Sequence, residues 1–296
     1  MATIDSLERP STHFGKGVAG PKSILLHVQN GKSMERRLET ALSIARSSSA
    51  HLTCVHVTPV EAYVAFDSFG GVFVMNDVIK SIDEEEQALR ESMEGQLRAE
   101  DVSWDYQQIT GNIPFQLVRQ AALADLIVTG REPHRTDFAG PAIGMMGDLL
   151  NRSRTPIFIP ADEGAICDPN GPVLIGWNGS YESANAVRAS LDMLKLARSV
   201  HVLGVQEEQA GQAFPDTRLL EYLSRHGVHA ELLTEAGQDA RAPDFVASAI
   251  IATAQDLGAS YVVMGGYSHS RLGEYFFGGV TRYLLSASPV SLLMSH

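Results

Sequence analysis

The chain has 296 residues, of which 44% are hydrophobic and 20% charged, with a net charge of −12. Such a length exceeds one ordinary domain and suits two of about 150 residues, each able to bury its own core. The composition excludes a disordered chain, and the acid excess argues against non-specific nucleic-acid binding, which neutralises phosphates with Lys and Arg.

Residues 1–20 are polar, contain Pro10, Gly15, Gly17 and Gly20, and lack an apolar run. They read as a flexible arm and not as a signal peptide. No apolar stretch approaches the roughly 18 residues of a membrane span. Two cysteines, Cys54 and Cys167, stand at no metal-type spacing. These features predict a cytoplasmic protein of a reducing compartment, without membrane or nucleic-acid partners.

A first domain is expected over residues 21–162. Ile24 to Val28 is a short apolar run of the kind that forms a buried parallel strand; it ends at Gln29-Asn30-Gly31. A helix is expected over Met34 to Ser47, then a strand over His51 to Val57. Cys54 and His56 share one face of that strand, and a buried thiol beside a satisfied histidine is the expected reading, not a metal site. Ala62 to Met75 is aromatic, apolar and glycine-containing. It suits a pocket cover or partner surface, or a loop packed on its own domain. Asp83 to Glu86 opens an amphipathic helix, where acidic side chains favour the positive dipole end; a solvated face is expected. Asp125 to Gly130 forms the next strand, and Pro156 introduces a last one, Ile157 to Ile159.

Residues 163–171 are polar and turn-rich, a linker to a second domain over 172–296. Val173 to Trp177 repeats the first strand and ends at Asn178-Gly179-Ser180. A helix over Glu182 to Leu196 and a strand over Val200 to Val205 follow, the helix with Ala186, Leu191, Leu194 and Ala197 near one face. His226 and His229 flank Gly227 before a strand and read as surface residues. Ser260 to Gly265 and Val290 to Leu293 complete the copy. The offset between copies is 149 at Ile24 and Val173, 148 at Val57 and Val205, and 135 at Gly130 and Gly265. The first copy therefore holds extra residues, placed between Pro59 and Glu86.

Each half reads as strand and helix in alternation. The fold class expected is α/β: two tandem, doubly wound, mostly parallel five-stranded sheet domains. Ligands of such sheets bind beyond the carboxyl ends of the strands, where the strand order reverses. In the second half that end carries Gly265-Gly266-Tyr267-Ser268-His269, then Gly278-Gly279 opening the last helix, with Thr281 in its first turn. Glycines let backbone N–H groups approach an anion, and a helix N-terminus adds free donors. Glycines also end strands and cap helices without any ligand.

With these residues in place, the chain resembles the universal stress protein family, from about Lys22 to the end, as two copies. That family carries Gly, two residues, Gly, nine residues, Gly and Ser or Thr at this strand–loop–helix position. An Asp-Gly-Ser follows its first strand, and a Val near the end of the second contacts adenine in nucleotide-binding members. Gly265 and Gly278 match the first and third glycines, Gly179-Ser180 the Gly-Ser, and Val205 the Val. Ser268 replaces the second glycine, Gly279 the Ser/Thr, and Asn178 the Asp.

The resemblance implies a regulatory small-ligand-binding protein. It would hold ATP or another adenine nucleotide between Asn178, Gly179 and Val205 at the base end and Gly265, Gly266, Ser268, Gly278 and Gly279 at the phosphate end. His269 and Thr281 would support it. In the first half Pro133 offers no N–H, Gln29-Asn30-Gly31 replaces Asp-Gly-Ser, and only Arg131, His134 and Arg135 remain as anion candidates. Family members pair through their final strands, so the halves are expected to form an intramolecular pseudo-dimer, with a further homodimer or a regulatory protein partner open. Alternatives are a slow nucleotide hydrolase, with its metal undefined, and a ligand-free dimerising scaffold. No nucleophile–base pair is visible in the sequence.

Overall fold

Alternate residues of a strand face opposite sides of a sheet, so an unbroken apolar run must be covered on both faces. Ile24, Leu26 and Val28 turn to one apolar layer and Leu25 to the other, each at most 1% exposed; Val173, Ile175 and Leu174 repeat the division. In a computed structural model, which describes residues 18–59, 72–131, 143–206, 216–236, 242–266 and 279–296, both layers run through both halves.

The first half contains strands β1 (Ser23–Val28), β2 (His51–Pro59), β3 (Ser103–Gly111), β4 (Leu126–Val128) and β5 (Ile157–Ile159). Between them lie helices α1 (Met34–Ser48), α2 (Val72–Leu97), α3 (Ile113–Gln120) and α4 (Ile143–Arg152). The second half contains β6 (Pro172–Trp177), β7 (Ser199–Gln206), β8 (Ala230–Ala236), β9 (Tyr261–Gly265) and β10 (Ser291–Ser295). Its helices are α5 (Tyr181–Ala189), α6 (Leu191–Leu194), α7 (Asp216–Arg225), α8 (Pro243–Asp256) and α9 (Gly279–Ala287).

The strands form one ten-stranded sheet in the order β3-β2-β1-β4-β5-β10-β9-β6-β7-β8. Read outward from its middle, each half has the same order, and every pairing within a half is parallel. Only the central seam is antiparallel, pairing Leu292 with Ile159, Leu293 with Phe158 and Met294 with Ile157. The α/β class and the tandem pseudo-dimer are thus observed.

A serine turn introduces each seam strand. Ser153 Oγ donates to Thr155 O and accepts from Thr155 N; Ser288 Oγ does the same with Val290. Phe158 meets Tyr261 edge-on with ring centroids 5.5 Å apart.

Two expectations are corrected. The helix read over Glu182 to Leu196 is broken into α5 and α6 at Ser190, whose N–H is shared between Ala186 O and Val187 O while its hydroxyl bonds Val187 O. A side chain that bonds the preceding turn competes with the helical ladder. Asp83 to Glu86 lie inside α2 and do not open it, and Glu86 is not on a solvated face: Asp83, Glu84 and Glu85 are exposed, but Glu86 is buried. The extra residues of the first half include most of α2, which has 26 residues against 10 in α7. Of the segment 62–75, residues 62–71 lie outside the described residues and 72–75 open α2.

Candidate functional site

In the second half the strand order reverses at β6, which lies between β7 and β9. The β6–β7 ladder ends at Trp177 opposite Gly204, and the β6–β9 ladder runs through Ile175 opposite Val263. Continuing these registers sets Asn178 between Val205 and Gly266. The expected base-end residues and Gly265-Gly266 therefore share one rim. Ser268, His269 and Gly278 lie outside the described residues.

Local structure accounts for several of these residue types. Asn178 Oδ1 accepts from Ser180 N at 3.1 Å, closing an Asx turn around Gly179, whose φ is +73°. Ser180 then caps α5, its hydroxyl accepting from Ser183 N at 3.2 Å. This tight entry brings α5 down onto β9. A methyl group on Gly265 would lie 2.7 Å from both Glu182 C and Ser183 N. Glycine is required there by the helix backbone alone. Gly266 donates to Ser295 O and packs beneath Leu150 of the first half, which a Cβ would approach to 3.3 Å. Gly279 starts α9 against the ring of Pro243, and Thr281 is buried in the same helix.

The first half uses the corresponding rim differently. The guanidinium of Arg37, 1% exposed on α1, donates to His27 O at 3.0 Å and to Ser33 Oγ at 3.3 Å. It fills the space that a side chain at Gly130 would need. His27 Nδ1 meets Thr129 Oγ1 at 3.0 Å below it. Arg131, a candidate anion ligand, turns away from this rim. Its Nη1 donates to Ser288 O at 2.8 Å and its Nη2 to Val290 O at 3.4 Å, both in the turn before β10, with Asp162 at 3.9 Å. Burial pushes its pKa down, and Asp162 opposes that. His134 and Arg135 lie outside the described residues.

A second polar cluster closes the ends of β2 and β3. Glu86 Oε1 meets His56 Nε2 at 3.2 Å and accepts from Thr58 Oγ1; Glu86 Oε2 accepts from Gln108 Nε2 at 2.5 Å. His56 Nδ1 donates to Val28 O at 3.0 Å. Glu86 and His56 are 8% and 9% exposed, so the first half fills this part of its strand ends with its own carboxylate. The sequence could not reveal the cluster without the position of β3. The matching cross-strand place in the second half holds Trp177 against Gly204.

Cys54 is buried, and desolvation pushes its thiol up to about 12, with Asp105 adding to the shift. Among the described residues no three His, Cys, Asp or Glu side chains stand together as metal ligands. No helix among them is long and apolar enough to cross a membrane.

Comparison with known proteins places residues 169–296 within the family described as the universal stress protein family. No curated protein matches the chain. Among solved structures it is similar to a universal stress protein from Archaeoglobus fulgidus DSM 4304, at 13% identity and a TM-score of 0.63, covering 92% of this chain and 96% of that one. It is also similar to a functionally unknown protein from Pseudomonas aeruginosa PAO1, at 18% identity and a TM-score of 0.57, covering 93% and 92%. At these identities the likeness is one of fold.

Proposed function

From the premise that the C-terminal half belongs to the universal stress protein family, we propose that the chain is a regulatory protein that binds a small ligand, an adenine nucleotide, at the reversal point of that half. The supporting observation is the rim at β6, where Asn178 stands between the ends of β7 and β9. Open α/β sheets bind ligands at such a point. Asn178 offers an amide where a carboxylate would grip a ribose more firmly, so binding is weaker than an Asp would give. The first half, its rim filled by Arg37 and its strand ends by Glu86, acts as the structural partner.

The test is mass spectrometry of what the purified chain retains, followed by thermal shifts with ATP, ADP and AMP. A ligand that binds only the folded state raises the melting temperature with its concentration. Asn178→Asp keeps the acceptor for Ser180 N and adds charge, so it is expected to enlarge the ATP shift. Val205→Trp is expected to abolish it. A chain that retains nothing and answers to no nucleotide would be the ligand-free scaffold instead. Release of phosphate from bound ATP would establish the hydrolase.

A further inference from the structure

A side-chain arrangement at the opposite end of the first half has no part in nucleotide binding. His51 and Ser103 begin neighbouring strands β2 and β3 and lie directly opposite each other. Ser103 Oγ is 2.7 Å from His51 Nδ1, and His51 Nε2 is 2.8 Å from Asp105 Oδ1. The serine hydroxyl, imidazole and carboxylate are therefore linked in series, a nucleophile joined to a base and the base to an orienting acid.

The acid is held on every side. Asp105 Oδ1 also accepts from Thr53 Oγ1 at 2.8 Å, and Oδ2 accepts from Gln107 Nε2 at 2.9 Å. Desolvation works to raise its pKa, but the hydrogen bonds from His51, Gln107 and Thr53 bring it below the ordinary value. An ionised Asp105 accepts the Nε2 proton of His51 and leaves the Nδ1 lone pair towards Ser103.

The serine is open. Ser103 is exposed, and β3 is the outermost strand of its half. His51 N donates to Lys22 O, so the odd residues of β2 bond β1 and its even residues bond β3. In the parallel ladder this directs the N–H groups of Ser103 and Asp105 towards β2. It directs that of Trp104 outward, away from the sheet. The residue after a nucleophilic serine thus presents a backbone donor for an oxyanion.

We propose that Ser103, His51 and Asp105 form an acyl-transfer site that hydrolyses esters or thioesters of small acyl groups needing no deep cleft. Ser103 Oγ attacks the acyl carbon as its proton passes to His51 Nδ1. The bond to the leaving oxygen or sulfur breaks, and His51 returns the proton to it. Water then attacks the acyl-serine, gives its proton to His51 and releases the carboxylic acid, the proton returning to Ser103. Ser103 and His51 are the catalytic residues, Trp104 N–H stabilises the oxyanion, and Asp105 is a positioning residue.

The second half supplies an internal comparison. Its matching positions are Ser199 and His229, which no hydrogen bond joins, and Glu231 lies 3.6 Å from His201 instead.

The experiment exposes the full chain to p-nitrophenyl acetate and, separately, to a fluorophosphonate probe, then maps the modified peptide. The expected result is one modified serine per chain, Ser103 and not Ser199, with ester turnover that Ser103→Ala reduces by about a hundredfold or more. Asp105→Asn, its fold checked by circular dichroism, is expected to lower kcat by about tenfold or more with KM unchanged. Hydrolysis undiminished in Ser103→Ala, or modification of lysines and other histidines alone, overturns the proposal and leaves a hydrogen-bonded surface cluster.

Discussion

Glu86 is a charged residue on the buried stripe of α2, and it meets His56 Nε2 at 3.2 Å where two strands end. The stripe continues through Leu89, Met93 and Leu97. Replacing Glu86 by Ala removes at once the partner of buried His56 and Thr58 and of Gln108 at the strand edge. Leaving a buried hydrogen-bonding group without its partner costs about 1–3 kcal/mol. Glu86→Ala is expected to lose that much in urea denaturation, and Glu86→Gln distinctly less. Equal, small losses would mean that water replaces the carboxylate.

Gly265 and Gly179 separate crowding from backbone conformation. Gly265→Ala forces the first turn of α5 away from β9 and is expected to destabilise the chain by about 1–3 kcal/mol with or without nucleotide. Nothing lies within 4 Å of a Cβ at Gly179, so Gly179→Ala meets only the cost of positive φ, about 1 kcal/mol. Differential scanning calorimetry of both variants, with and without ATP, checks the order.

Arg131 joins the halves beside the seam, at the turn that introduces β10. Arg131→Ala leaves Ser288 O and Val290 O without their charged donor and is expected to cost about 2 kcal/mol. If the clasp couples the halves, the denaturation curve of this variant broadens. An unchanged midpoint would show the seam strands to be sufficient.

Asp105 gives a pH signature. Its folded pKa is lowered, so its stabilising contribution is present above the unfolded value and is lost as pH falls through the folded one. The stability difference between wild type and Asp105→Asn is expected to be greatest near neutrality and to shrink below about pH 4. Denaturation midpoints at a series of pH values measure it. A constant difference would mean the carboxylate is not held ionised by its neighbours.

The fold was legible because the repeat is carried by apolar runs such as Ile24 to Val28 and Val173 to Trp177, whose burial on both faces leaves a strong local trace. The rim of the second half was legible too, since Asn178, Gly179 and Gly265 lie at strand ends. Their reasons were less so: whether Gly265 spares room for an anion or for Glu182 depends on how closely α5 approaches. Arg131 read as an anion candidate because its partners lie more than 150 residues away. Strand β3 went unassigned in the sequence, where Ser103, Asp105 and Gln107 alternate with Trp104 and Tyr106. Its meeting with His51 depended on register, which no single strand contains.

The antiparallel seam between β5 and β10 has a consequence for how the two halves meet. A pairing within one chain does not dissociate on dilution, so the two halves meet at an effective concentration set by their tether and not by expression level. In a dimer of identical subunits any substitution alters both sites at once. Here Arg37 and Glu86 can fill one rim while the other stays unaltered, so each chain carries unlike rims in a fixed one-to-one ratio.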